Sequence, residues 1–421
     1  MFKKLLSKSE FTKNVLTVLT GTALAQAIPI LISPILTRLF SVEDFGIFFL
    51  FSSILAILLP IATAKYELTI ILPEKDEDAI NIVGLVCMIA VGVSIVLSGV
   101  IIMFKDSIQS ALDDNSSGTW LYLLPLTLLL SGVYQAFNYW ANRKKRFKEI
   151  SIGKIGQASM TGASNLAIGK LSASGLGLIG STIAGLTVNT LVLFRSLLRN
   201  DKEQIQNIKV EHIRTQAKRY RAFPKKMVLA NLFNIAAMQL PNVIMASMFG
   251  SAFLGLYAIS QRVIKLPLTV ISNAYGEVFK QEAAEKYSKG ENIKPLFWKS
   301  VLLLAGISAP FFVVLYFFAP EIFAFVFGQD WYFAGEYASM LTPYFFLAFV
   351  TAPLTHLFYI LERTGTYLLV QLILLSLVLG GLYYGNQIGS DPVRVVKVLT
   401  LSYGAIYLLM ITILAVLPAK R

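Results

Sequence analysis

The chain has 421 residues, 56% hydrophobic and only 14% charged, with a net charge of +13 and a mean hydropathy of +0.66. An ordinary soluble domain carries about 25% charged residues, so this chain lacks the polar surface to cover a water-soluble body. That disfavours soluble enzymes, disordered chains and secreted disulfide scaffolds, and one cysteine, Cys87, leaves no internal disulfide.

A membrane-crossing helix needs about 20 mostly apolar residues. The sequence predicts twelve: 14–36, 45–64, 80–104, 119–141, 151–169, 172–194, 227–249, 252–276, 296–318, 336–360, 365–385 and 393–417. The first contains Ala23-Leu24-Ala25, which looks like a signal-peptide cleavage site. Its apolar run continues to Leu36, which favours an uncleaved helix. This span carries Thr22, Gln26, Pro29, Ser33 and Thr37 at spacings of three and four, one face of a helix. Span four carries Ser131, Gln135, Asn138 and Asn142 in the same way. Spans five and six, Gly153 to Gly185, are rich in small residues and read as a tightly packed hairpin. Span five adds Lys154, Gln157, Thr161 and Asn165. Span seven has Asn231, Asn234, Met238 and Asn242, and span eight Tyr257, Gln261 and Lys265 with Arg262 adjacent. Such stripes either line a shared water-filled cleft or hydrogen-bond helix to helix.

With residues near a span edge counted to the adjoining side, thirty basic residues fall on one side, five on the other, and Arg262 and Lys265 lie deep within a span. The positive-inside rule then places both termini in the cytoplasm. The longest connection divides the chain into an N-terminal six-helix bundle (1–195), a basic cytoplasmic connection (196–226) and a C-terminal six-helix bundle (227–421). A weak echo links the halves at an offset of 209 residues: Phe40, Gly46 and Phe48 match Phe249, Gly255 and Tyr257. The expected fold is all-α and integral to the membrane, about twelve transmembrane helices in two pseudo-symmetric six-helix bundles, a transporter-like architecture.

A Lys or Arg at the centre of a span costs about 2.5–3.5 kcal/mol on insertion scales. Arg262 and Lys265 therefore pair with an acid such as Glu277 or Glu67, or face an anionic ligand. No acid sits in mid-span, so the ligand is the preferred reading. Arg grips phosphate oxygens in a planar fork and Lys adds a point charge. Arg38 and Lys170 extend the same field. The run Arg143 to Lys148 is explained by topology and anionic headgroups rather than by nucleic acid. Gly162 to Lys170 has the wrong spacing for a P-loop, and neither a clustered metal motif nor a catalytic triad is present, so no cofactor and no enzymatic activity are expected.

Four segments carry a family resemblance: Pro34-Ile-Leu-Thr-Arg-Leu-Phe-Ser-Val-Glu-Asp-Phe-Gly46, Lys65-Tyr-Glu-Leu-Thr-Ile-Ile-Leu-Pro73, Trp140-Ala-Asn-Arg-Lys-Lys-Arg-Phe-Lys148, and Gly255-Leu-Tyr-Ala-Ile-Ser-Gln-Arg262 through Pro267. They are similar to polysaccharide transporters, the O-antigen and capsule repeat-unit flippases of the multidrug/oligosaccharidyl-lipid/polysaccharide exporter superfamily. The resemblance implies a flippase for undecaprenyl-pyrophosphate-linked sugar repeat units in the bacterial cytoplasmic membrane, working by alternating access through a V-shaped cleft. Its partners would be the lipid-linked oligosaccharide, membrane lipids, and a polysaccharide polymerase with its chain-length machinery. Only the cationic character of the cleft carries over, onto Arg38, Arg262 and Lys265. Gln26, Asn138, Asn234 and Gln261 are the sugar-binding candidates from the stripes. The alternatives are a cation-coupled multidrug exporter of the same superfamily and an integral-membrane glycan polymerase.

Overall fold

The computed structural model describes residues 10–112, 118–221, 223–361, 363–387 and 391–416. The described residues form helices and no strand. Two compact units divide the chain, Met1–Val243 and Ile244–Arg421.

The first unit opens with α1 (Glu10–Leu39), which runs unbroken past Ala23-Leu24-Ala25 and contains Pro29 and Pro34. Ser41 then caps α2 (Val42–Thr63): its hydroxyl accepts from the Asp44 amide while the Asp44 carboxylate accepts from the Ser41 amide, a capping box. A one-turn helix, Tyr66–Thr69, leads into α3 (Asp76–Ala111) and α4 (Leu123–Arg143). The predicted small-residue hairpin forms as α5 (Phe147–Ser172) and α6 (Gly175–Asn200). Its closeness depends on glycine. A Cβ on Gly185 would collide with the Thr161 hydroxyl and lie 2.6 Å from the Gln157 carbonyl oxygen.

Two short helices, α7 (Lys202–Gln206) and α8 (Val210–Arg219), follow in the basic connection. This connection is clasped to the start of α3 rather than hanging free. Asn81 donates to the Asn207 carbonyl at 3.0 Å and accepts from the Lys209 amide at 2.9 Å. Gln216 donates to Asp78 at 2.6 Å, and the Tyr66 hydroxyl donates to the Ala217 carbonyl at 2.9 Å. Ile213 buries itself among Ile80, Ile82 and Val83.

Beside the clasp, the end of α4 is tied down by ions. Arg143 donates to Asp76 at 2.8 Å and to the carbonyls of Pro73 and Ile70 at 2.6 and 3.2 Å. Asp201, almost fully buried, accepts from Arg146 at 2.5 and 2.8 Å and from the Trp140 indole at 2.9 Å.

The long helix α9 (Leu229–Ser288) leaves helical geometry at Gly250, where φ is +80° and ψ 173°. A left-handed φ of that kind is readily adopted only by glycine. The flanking segments, 229–249 and 251–288, each exceed the length of one crossing. At the 209-residue offset of the sequence echo, Gly250 corresponds to Ser41, the cap that separates α1 from α2.

In the second unit, α10 (Lys294–Phe327) packs along α11 (Tyr332–Thr351). A short α12 (His356–Ile360), α13 (Thr364–Gln387) and α14 (Pro392–Val416) complete it. Gly335 of α11 lies against the α10 backbone: a Cβ there would collide with the Pro320 Cα and lie 2.5 Å from the Ala319 carbonyl oxygen. Gly335→Ala gains about 0.5–1 kcal/mol of helix propensity but loses about 1–3 kcal/mol to overpacking. A lowered thermal midpoint in detergent is therefore expected, although a glycine has left a helix.

Among the described residues, ten segments are long and apolar enough to cross a membrane. They cover eleven of the twelve predicted spans, because 231–265 divides at Gly250 into two. The remaining predicted span, α5, is long enough to cross but is not among them, because Lys154, Gln157, Thr161 and Asn165 make it polar. This is a multi-pass membrane protein.

Candidate functional site: a cationic site in mid-span

Arg262 and Lys265 sit in the middle of a stretch otherwise uncharged from Ser251 to Gly276. At 1.5 Å per residue, Arg262 lies about 18 Å along the helix from the Gly250 break, near the middle of a hydrocarbon core about 30 Å thick. Lys265 is exposed and Arg262 half-buried. The Lys265 ammonium donates to the Gln261 side-chain oxygen at 2.6 Å, one turn back. It also stands 5.7 Å from the centre of the Phe345 ring, within cation–π range. Phe345 is backed by Tyr344 at 4.1 Å, which stacks on Tyr403 of α14 at 5.0 Å. Tyr257, fully buried, stacks on Phe253 at 6.0 Å.

No carboxylate lies within ion-pair distance of Arg262 or Lys265 among the described residues. Glu67 instead faces Lys65 at 3.4 Å, and Glu277 is exposed. Of the two readings of these cations, the ion pair with Glu67 or Glu277 is thus absent. What remains is two positive charges at membrane depth, with the Gln261 amide and the Phe345 ring beside Lys265. Lys265 is held forward by them and not neutralised.

The other predicted site residues fall elsewhere. Gln26 is exposed on α1, and Arg38 is exposed in its last turn. Asn138 is half-buried on α4, and its Oδ1 atom has no hydrogen-bond partner. The side chain of Asn234 lies outside the described residues. Several stripe residues serve the helices themselves. Ser33, Thr37 and Asn231 return to their own backbone, Asn189 donates to Gln157 at 2.8 Å, and Asn242 donates to Ser53 of α2 at 3.1 Å.

Lys154 is the cation whose surroundings the sequence reading missed. Its ammonium donates to the Thr22 hydroxyl at 3.1 Å, joining α5 to α1, so this lysine is tied into the helix bundle. The shared spacing of the two stripes is the signal that was available. Glu67 is buried as well, with one carboxylate oxygen unpartnered.

In fold the chain is similar to solved proteins of the MOP superfamily, which the sequence motifs also resemble. An inward-facing multidrug resistance MATE family transporter of that superfamily superimposes with a TM-score of 0.70 at 12% identity, covering 96% of this chain and 99% of the other. Lipid II flippase MurJ in an inward closed conformation gives 0.70 at 12% identity, covering 95% and 86%. A MOP superfamily transporter from Pyrococcus furiosus gives 0.57 at 13%, covering 99% and 98%. No curated protein matches significantly in sequence. The profile of the family described as polysaccharide biosynthesis protein matches residues 35–334, and the chain belongs to that family.

Proposed function

We propose that this protein is a flippase for lipid-linked oligosaccharide repeat units, carried on undecaprenyl pyrophosphate across the bacterial cytoplasmic membrane for surface polysaccharide synthesis. The observation that carries the reading is the pair Arg262 and Lys265, placed at membrane depth with no carboxylate in ion-pair range among the described residues. Two such cations suit a diphosphate: the guanidinium fork takes two oxygens and the ammonium adds a point charge. Gln261, which accepts from Lys265, is the sugar-hydroxyl partner in this reading. Family membership supports a role in polysaccharide biosynthesis, and the fold shared with a lipid II flippase supports movement of a lipid-linked cargo.

The protein itself performs no bond chemistry in this reading. It alternates between inward and outward states, and the headgroup must bind the two differently for transport to be driven. Both termini face the cytoplasm, and a polymerase with its chain-length machinery consumes the product on the outer leaflet. The MATE-like fold raises a second reading, a multidrug exporter. A cationic drug needs an acid beside it, and Arg262 and Lys265 repel one.

The test is deletion followed by a sidedness assay of lipid-linked intermediates. Complete repeat units trapped on the inner leaflet are expected. Units accumulating on the outer leaflet point to a polymerase and overturn the proposal, as does unchanged polymer.

A further inference from the structure

We infer that the outer face of α6 holds an anionic phospholipid, its headgroup phosphate on Arg195, Arg199 and Lys202 and its acyl chains along Leu191, Phe194 and Leu198. Leu191, Arg195 and Arg199 form one i, i+4 row, and Phe194 and Leu198 form the row beside it. All five side chains are exposed, and Lys202, at the start of α7, is exposed as well. One continuous face thus passes from bulky apolar groups to cations within two turns, the profile of a lipid tail joined to a phosphate.

Among the described residues no acid neutralises the three cations. Asp201, next in the chain, is turned inward and taken by Arg146 and Trp140. Glu203 is exposed, but neither it nor any other carboxylate comes within ion-pair distance of the three among the described residues. The remainder of the connection differs. Lys209, Lys218 and Arg219 are exposed on and beside α8, where Val210 is the exposed large apolar side chain. An acidic protein or a nucleic acid would use the cations of both groups equally and would leave the Leu–Phe row uncovered. A diacyl phospholipid uses both halves of the α6 face. This inference is independent of the cargo transported.

The experiment is native mass spectrometry of the full chain, titrated with phosphatidylglycerol or phosphatidylethanolamine of matched acyl chains. The expected result is retention of phosphatidylglycerol in preference to phosphatidylethanolamine. At about fivefold per cation, R195Q/R199Q/K202Q weakens retention on the order of a hundredfold. K209Q/K218Q/R219Q, which removes the same charge, leaves retention unchanged. Should the first triple variant fail to fold, R195Q/R199Q serves, with a loss of more than tenfold, and R195K/R199K retains the lipid. Equal losses in the two triple variants would reduce the site to general charge and overturn the inference. So would unchanged binding in R195Q/R199Q, or displacement of phosphatidylglycerol by an equimolar polyprenyl diphosphate.

Discussion

Replacing Arg262 and Lys265 together with alanine is expected to cut glycan export at least a hundredfold while the chain remains in the membrane at its normal level. The size follows from the contacts removed. Each charge-assisted hydrogen bond to a phosphate contributes about 1.5–3 kcal/mol, so two place the loss between about 10² and 10⁴. Lys265→Met separates charge from length: the apolar stem can still pack near Phe345, and only the ammonium that donates to Gln261 is gone. Arg262→Lys keeps the charge and loses the planar fork, so it should fall between wild type and alanine. Surface glycan staining beside a membrane immunoblot reads all four. Wild-type staining in the double alanine variant, at equal membrane level, would remove the diphosphate from this site.

The second large effect is on stability. Asp201 is almost fully buried and accepts from Arg146 and the Trp140 indole. Asp201→Ala leaves a guanidinium without its counter-ion and a buried indole N–H without an acceptor. Breaking a buried pair on one side costs about 3–5 kcal/mol. Asp201→Asn retains an acceptor for the indole and should cost clearly less. Unfolding of the purified protein in detergent, followed by tryptophan fluorescence, compares the two. A shift under about 1 kcal/mol for Asp201→Ala would show that the network is dispensable.

Hydropathy made most of the fold legible, because a backbone in lipid must satisfy its own hydrogen bonds and does so as long apolar helices. It was weakest at α5, where the polar residues that join helices lower the hydropathy of the predicted span. There the small residues, through their closeness to α6, were the better guide. The proposed site shows in the sequence through its charges and less so through its neutral residues. A spacing of three or four places side chains on one face whether they meet a cavity, a neighbouring helix or their own backbone. Thr37 therefore matched the pattern while bonding the Pro34 carbonyl, and Gln157 matched it while bonding Asn189. Contacts between distant parts of the chain lay beyond periodicity altogether. Lys154 finds Thr22 across 132 positions, and Asp201 finds Trp140 across 61. Phe345, beside Lys265, belongs to α11 and carries no local mark of its role.

The clasp of the basic connection has a consequence for how the protein is made. Asn81, Asp78 and Tyr66, which receive that connection, all precede it in the chain, and Asn242 closes back on Ser53. Every one of these contacts joins residues on the N-terminal side of the division at Val243. As translation proceeds from the N-terminus and domains generally fold as units, the first unit can finish its tertiary structure before the later helices are synthesised. A nascent chain arrested beyond Val243 should already resist proteolysis between Asp201 and Arg221, long before the second half has entered the bilayer.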